Sequence, residues 1–420
     1  MLRRQLWALG ALAFLGFAPS AQGFDAGRSA ALDGLLQKVV SEQRVSGIVA
    51  LVVRPDGEVL YQGAAGRRDP ASAEPIGPDH LFRLASMTKP FTSVAVMQLV
   101  EQGLVSLDDP VSRHVPAFAN PRVVRDGGGT EAAEREATIR DLLRHTSGLS
   151  YSFLNIPVVV DEYRRLGVDD GLAAPDRTLD DNMARLAQAP LAVQPGSAFR
   201  YSLSTDVLGA VVTTVTGMPL DAYLARSVAG PLKLRDFTFR VALSEQARMV
   251  TPVFPVDGKG LVPMASPQVV PNPGSGGTWM ADPARAFSAT AYPSGGAGAT
   301  ATIGDYARFA RMLLNGGELD GARILKPETV RLMTSPQTNG MAPAVRGAGN
   351  EFGLGFFVTT DPGAAKTRMG AGSFGWGGIY GTGFTVDPVN RVAIVVMTQT
   401  GVVGGAVAGE VREAVYAALQ

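Results

Sequence analysis

The chain has 420 residues, 46% hydrophobic and 18% charged, with 38 basic side chains against 38 acidic ones. That length allows one large domain or two lobes sharing a cleft, and the even charge removes any general electrostatic reason to expect nucleic acid or an anionic membrane as a partner. Cysteine is absent, so disulfides and a lipoprotein anchor are excluded and packing must stabilise the fold.

The chain opens "MLRRQLWALGALAFLGFAPSAQGF". Arg3 and Arg4, an apolar run from Leu6 to Phe17, and small residues around Ala21 and Gly23 make residues 1–23 a secretory signal. The run is short for a membrane span. The expectation is an exported protein, periplasmic or secreted, with no stable membrane insertion once residues 24–420 are released. Ala30 to Gln43 then reads as an amphipathic helix, and "SGIVALVVRPDGEVLYQGAAG" as a hairpin turning at Asp56-Gly57. Next, "FRLASMTKPFTSVAVMQLVEQG" predicts a helix opening near Ser86 and stopping at Gly103.

From about 103 to 285 the chain mixes short helices with long loops. "ATIRDLLRHTSGL" reads as a helix closing on Gly148, and the stretch from Ser204 to Leu234 as another helical region. After Tyr292 come a helix ("IGDYARFARMLLNGG"), a second hairpin around Asp387 to Asn390 ("GIYGTGFTVDP", "RVAIVVMTQT"), and a closing helix, "AVAGEVREAVYAAL". Strands near both ends predict an α+β fold with one antiparallel sheet. Residues 24–102 and 286–420 form its α/β lobe, and 103–285 an inserted, mostly helical lobe.

Several chemistries are excluded. The three histidines are His80, His114 and His145, none later in the chain, and there is no complete G-x-S-x-G, so an α/β-hydrolase triad fails. No H-E-x-x-H, metal-ligand spacing or Walker loop occurs. "GAGSFG" (370–375) matches G-x-G-x-x-G but leads into a strand pattern, so it reads as a loop. No metal and no cofactor are expected. What remains is a nucleophile whose base is not histidine, and Ser-Lys is the known alternative.

Ser86 and Lys89 form the one S-x-x-K of the chain, at a predicted helix N-terminus where free amides favour developing negative charge. The plain reading, a capping serine beside a snorkelling lysine, stands next to the catalytic one. A second segment, "QPGSAFRYSLSTDVLG", turns at Pro195-Gly196 and places Tyr201 just before a helix.

These motifs resemble the serine β-lactamase and penicillin-binding protein superfamily on its class C side, and in particular family VIII carboxylesterases. The likeness rests on S-M-T-K at 86–89, Y-S-L at 201–203 with D-V-L-G following, and W-G-G at 376–378, with "LLRHTSGL" and "SGGAGATATIGDYARF" extending it over nearly all of residues 24–420. It implies a β-lactamase/transpeptidase-like fold with the active site in the cleft between the lobes. It further implies Ser86 as nucleophile, Tyr201 with Lys89 activating it, and an oxyanion hole from the amides of Ser86 and Ile379. Leu203, Trp376, Gly377 and Gly378 would contact substrate.

Two departures from the β-lactamase pattern shape the expected activity. Leu203 stands where an asparagine would hydrogen-bond an antibiotic amide, and Trp376-Gly377-Gly378 replaces K-T-G at the start of a returning strand. An indole in place of a cation disfavours a carboxylate and favours a neutral acyl ester. The expected function is a carboxylesterase for short-to-medium acyl chains, its partner a small-molecule ester. A β-lactamase or D-alanyl-D-alanine carboxypeptidase, an acyltransferase, and a penicillin-binding sensor that acylates without turnover are the alternatives. His145 is expected to fix its loop, Asp206 to orient the Tyr201 loop, and Gly295 to Gly298 to border the cleft. Oligomeric state is not legible.

Overall fold

The computed structural model describes residues 23–420, except 155, 273–275 and 344–346. The signal reading therefore lies, apart from Gly23, outside the described residues.

Asp25 caps helix α1 (Ala26–Ser41) by accepting the Arg28 amide, and Leu32, Leu36 and Val39 recur on its buried side. Strand β1 (Gly47–Val53) is buried at every position, whereas β2 (Val59–Gly66) alternates, as an edge strand with one wet face should. Helix α2 (Lys89–Glu101) follows. The inserted segment supplies α3 (Ile139–Leu143), α4 (Pro157–Leu166), α5 (Leu179–Leu186), α6 (Ser204–Thr216) and α7 (Leu220–Leu224). The chain returns through α8 (Ile303–Leu314) and α9 (Pro327–Met333) to strands β3 (Asn350–Phe352), β4 (Phe357–Thr359), β5 (Phe374–Gly377), β6 (Gly383–Asp387) and β7 (Val392–Thr398), and ends in α10 (Gly404–Leu419).

The seven strands form one antiparallel sheet in the order β3-β4-β5-β6-β7-β1-β2. The N-terminal hairpin joins the C-terminal one through β1 and β7, with Ile48 opposite Thr398 and Val53 opposite Ala393. Neighbouring residues of β6 show how both faces are covered. Phe384 meets Tyr306 of α8 with ring centroids 5.0 Å apart. Gly383 looks the other way, where a Cβ would lie 3.6 Å from Ala408 of α10. Helix α2 is buried on all sides, and Phe91 stacks on Phe309 of α8 at 3.8 Å. Among the described residues no single helix is long and apolar enough to cross a membrane.

Three local expectations need correction. Ser86 lies outside the α-helix, in a 3-10 turn (Ala85–Thr88) that leads into it at Lys89. The helix of "ATIRDLLRHTSGL" ends at Leu143 because His145 takes φ +56°, five residues before a helix closing on Gly148 would. The inserted segment also carries three hairpins where helices and loops were expected: Arg122–Val124 with Thr130–Ala132, Val253–Val256 with Gly260–Pro263, and Gln268–Asn272 with Gly277–Ala281. Pro255, Pro263 and Pro271 sit inside them, and proline in a short run demotes a strand reading.

Candidate active site

The turn bearing Ser86 is fixed from three sides. Leu84 pairs with Ala299, its N–H donating to the Ala299 carbonyl at 2.9 Å, and the Ala299 N–H donates to Thr88 Oγ1 at 3.1 Å. Tyr306 of α8 donates to the Met87 carbonyl at 3.0 Å. Thr382 Oγ1 donates to the Leu84 carbonyl at 3.2 Å. Ala85, fully buried, is held at φ +45°, so the residue preceding Ser86 occupies a conformation that alanine disfavours. Ser86 itself keeps some exposure and lines a cavity of about 460 Å³.

Tyr201 donates to Ser86 Oγ at 2.7 Å, and Lys89 Nζ lies 3.2 Å from the same oxygen. Lys89 is 2% exposed. Besides Ser86 it donates to Tyr151 Oη at 2.8 Å and to the Gly296 carbonyl at 2.8 Å. Three acceptors match the three protons of an ammonium, so a buried cation is fully satisfied here. Its charge also lies 4.8 Å from the Tyr201 ring centroid.

Tyr151 was not singled out in the sequence. It sits three residues beyond the "HTSG" turn, and nothing in one sequence separates it from a core aromatic. Burial first, then the neighbouring Tyr201 and Asp206, push its hydroxyl well above the usual phenol range, which keeps it a neutral partner for the lysine.

The Gly296 carbonyl is placed by Asp206, at the first turn of α6. Asp206 accepts from Ser294 Oγ at 2.6 Å, and the Gly296 backbone beside it favours its charged form. A Cβ on Gly296 would stand 2.3 Å from Asp206 Oδ2, so the loop approaches that carboxylate only as glycine. Asp206 thus organises the 294–298 loop, not the Tyr201 loop as expected. His145 does contact Tyr201, ring centroids 4.9 Å apart, and its Nδ1 is 3.2 Å from Ser202 Oγ. Burial, then the Lys89 charge, hold this imidazole well below its usual value, so it is neutral and packs against the phenol.

On the far side, Trp376 is the third of the four residues of strand β5 instead of starting it, and its ring meets Tyr201 at 5.3 Å. Trp376, Gly377, Gly378 and Ile379 all line the cavity with Ser86 and Tyr201. Gly378 is bare for the protein's own sake: a Cβ there would lie 2.3 Å from the Leu84 carbonyl oxygen and 2.4 Å from Thr382 Oγ1. That close approach sets the Ile379 backbone beside the Ser86 turn.

Leu203 is a correction. It is fully buried and is not among the residues lining the cavity; its N–H donates to the Ser150 carbonyl at 3.2 Å, so it is a core residue and not a substrate contact. Phe153, Leu154, Leu172, Phe199 and Phe357 line the cavity without having been anticipated. Among the described residues no group of three or more His, Asp or Glu side chains has the arrangement of a metal site.

Comparison with known proteins places this chain in a family. The family model described as Beta-lactamase matches residues 32–417. Esterase EstB of Burkholderia gladioli is 40% identical over 405 residues, 95% of this chain and 98% of its own. The structure of EstCE1, described as a hydrolase with promiscuous acyltransferase activity, superposes with a TM-score of 0.84 at 35% identity, covering 93% of this chain and 98% of that one. Simvastatin synthase from Aspergillus terreus superposes with a TM-score of 0.74 at 25% identity over 94% of this chain and 96% of its own. The chain belongs to the Beta-lactamase family and is a serine hydrolase with the β-lactamase/transpeptidase-like fold.

Proposed function

We propose that this protein is a carboxylesterase for short-to-medium acyl chains, working through an acyl-enzyme on Ser86. The observation that carries the reading is the convergence of Tyr201 Oη and Lys89 Nζ on Ser86 Oγ, at 2.7 and 3.2 Å, at the wall of a cavity lined mainly by aromatic and aliphatic side chains.

As Oγ attacks the ester carbonyl, the Ser86 proton passes to the Tyr201–Lys89 pair. The pair returns that proton to the departing alkoxide. Water then attacks the acyl-enzyme, with the pair again accepting the proton and passing it to Ser86. Lys89, held by its three acceptors, stays within reach of Ser86 Oγ and beside the Tyr201 ring. The Ser86 and Ile379 amides would receive the tetrahedral oxyanion, donors worth about 3–4 kcal/mol of barrier in hydrolases generally. Trp376 presents apolar surface where a carboxylate-binding cation would be needed for β-lactam recognition, which favours neutral esters.

Transfer of the acyl group to an alcohol in place of water is a second fate of the same intermediate, suggested by the acyltransferase activity with which EstCE1 is described. The N-terminal arginine pair and apolar run support export to the periplasm or medium.

The test is steady-state turnover of p-nitrophenyl acetate, butyrate and octanoate beside nitrocefin, with wild type and Ser86→Ala. Ester hydrolysis that depends on Ser86 and exceeds nitrocefin hydrolysis is expected. Dominant nitrocefin turnover would make the protein a β-lactamase, and acylation without turnover a sensor. Added butanol competing with water for the butyryl group would reveal transfer.

A further inference from the structure

The cavity wall holds one carboxylate that the esterase mechanism does not use. Among the described lining residues, Asp170 is the acidic side chain and Arg412 the basic one; apart from the Ser86 and Tyr201 hydroxyls, most of the rest is apolar. Asp170 keeps accessible surface, and it stands among Tyr151, Phe153, Leu154 and Leu172.

Its position is fixed. The preceding residue, Asp169, is clamped by Asn182 of α5, whose Oδ1 accepts the Asp169 N–H at 2.9 Å and whose Nδ2 donates to the Asp169 carbonyl at 3.0 Å. The Asp170 carboxylate takes two donors, the Ser152 N–H at 3.1 Å and the Ser152 hydroxyl. Ser152 follows Tyr151, the lysine's phenol partner, so the carboxylate is tied one residue away from the Ser86–Lys89 cluster.

Asp170 differs from its acidic neighbours in having no cation nearby among the described residues. Asp169 accepts from Tyr292 Oη at 2.7 Å and faces Arg285 at 3.8 Å. Asp206 accepts from Ser294 and lies in the field of the Lys89 charge. Among the described residues no Lys, Arg or His forms an ion pair with Asp170, although its surroundings enclose it. An enclosed carboxylate without a counter-charge is unfavourable unless something else brings one, and this residue lines the substrate cavity.

We infer that Asp170 is a specificity-determining residue that receives an ammonium group carried by the ester substrate. The inference rests on the esterase reading and names its substrate class: esters with a cationic amine in the acyl or the alcohol half, preferred over neutral isosteres.

Burial, opposed by the Ser152 donors and reinforced by Asp169 and Asp206, pushes the Asp170 carboxyl up to about 7. The other titratable groups facing it are Tyr151 and Tyr163 of α4, both raised by burial and neutral, and Asp206, also raised. An ammonium stays charged across this range, so the preference should grow as pH rises from about 6 to about 8 and the carboxylate forms.

The experiment compares kcat/KM within two matched pairs: p-nitrophenyl 6-aminohexanoate against the 6-hydroxyhexanoate, and butyrylcholine against 3,3-dimethylbutyl butyrate. The ratio within each enzyme form cancels any general loss of activity. Wild type is expected to prefer the cationic member of at least one pair by about tenfold at pH 8 and less at pH 6. Asp170→Asn should bring that ratio near one and flatten it with pH, and Asp170→Glu should retain it. Equal turnover of both members of both pairs by wild type overturns the inference, as does a preference that survives Asp170→Asn. If Asp170→Asn fails to fold, a pH-independent wild-type ratio, or loss of the preference in Asp170→Glu, still overturns it. Absence of turnover for every ester overturns the carboxylesterase reading itself, a separate outcome.

Discussion

Gly378→Ala probes the proposed oxyanion hole without touching a reacting side chain. The new methyl would stand 2.3 Å from the Leu84 carbonyl oxygen and 2.4 Å from Thr382 Oγ1. Ordinary contact needs roughly 1 Å more, and relief is blocked in two directions. The Gly378 N–H donates to the Thr382 carbonyl at 2.8 Å, and Thr382 Oγ1 donates to the same Leu84 oxygen at 3.2 Å. The strand end must therefore move outward and carry the Ile379 amide with it. A displacement of about 1 Å at a reacting centre costs on the order of 100-fold in rate, at the low end of the range for losing one oxyanion donor, about 2.7–4 kcal/mol. The expected result is kcat for p-nitrophenyl butyrate down by about 100-fold, with KM changed by no more than a few-fold. Gly34→Ala serves as control. No atom lies within 4 Å of a Cβ there, on an exposed turn of α1, so it should leave kcat alone and raise Tm by about 1 °C. A Gly378→Ala enzyme within about threefold of wild-type kcat would refute the reasoning about Ile379.

Tyr201→Phe removes the proposed base and should lower kcat by roughly 10²–10⁴-fold with KM little changed, read with the same ester. Tyr151→Phe keeps the 4.6 Å stack on Phe153 but leaves one Lys89 proton without an acceptor. A stability loss of about 1–3 kcal/mol by urea titration is expected, with kcat reduced more than KM is raised. Asp141 links stability to acid. Burial opposes its ionisation, but donors from Arg135, Thr138, Thr146 and Arg144 outweigh that and hold it at about 2. Because the folded value lies below the unfolded one, this stabilisation is complete above about pH 4 and is lost as pH falls toward 2. The difference is about 2 kcal/mol, and Asp141→Asn should remove that part of the acid dependence in urea titrations.

Much of the frame was legible because it follows from local rules. The Asp56-Gly57 turn works as read: Gly57 takes φ +101° between two strands whose pattern is apolar. In the second hairpin Asp387 accepts the Val389 and Asn390 amides at 2.9 and 2.8 Å, which stops β6 and starts β7. The cluster of Ser86, Lys89 and Tyr201 was legible through its motifs, since spacing alone left a capping serine equally open. What escaped was what long-range packing decides. Tyr151, the Gly296 carbonyl and Asp170 become partners of the site only when segments 62 to 207 residues distant meet Lys89 or its neighbours. Leu203 shows the converse: a motif position carried over as a contact turns inward, because its backbone is pinned to Ser150 and its side chain fills the core.

The most direct measurement is location of the acyl group. Wild type would be mixed with p-nitrophenyl butyrate, quenched in acid within the first turnover, digested and analysed by peptide mass. The account predicts a butyryl increment on the peptide carrying Ser86, absent in Ser86→Ala and accumulating in step with the burst of p-nitrophenol. Turnover with the increment on another residue, or undiminished turnover by Ser86→Ala, would contradict it.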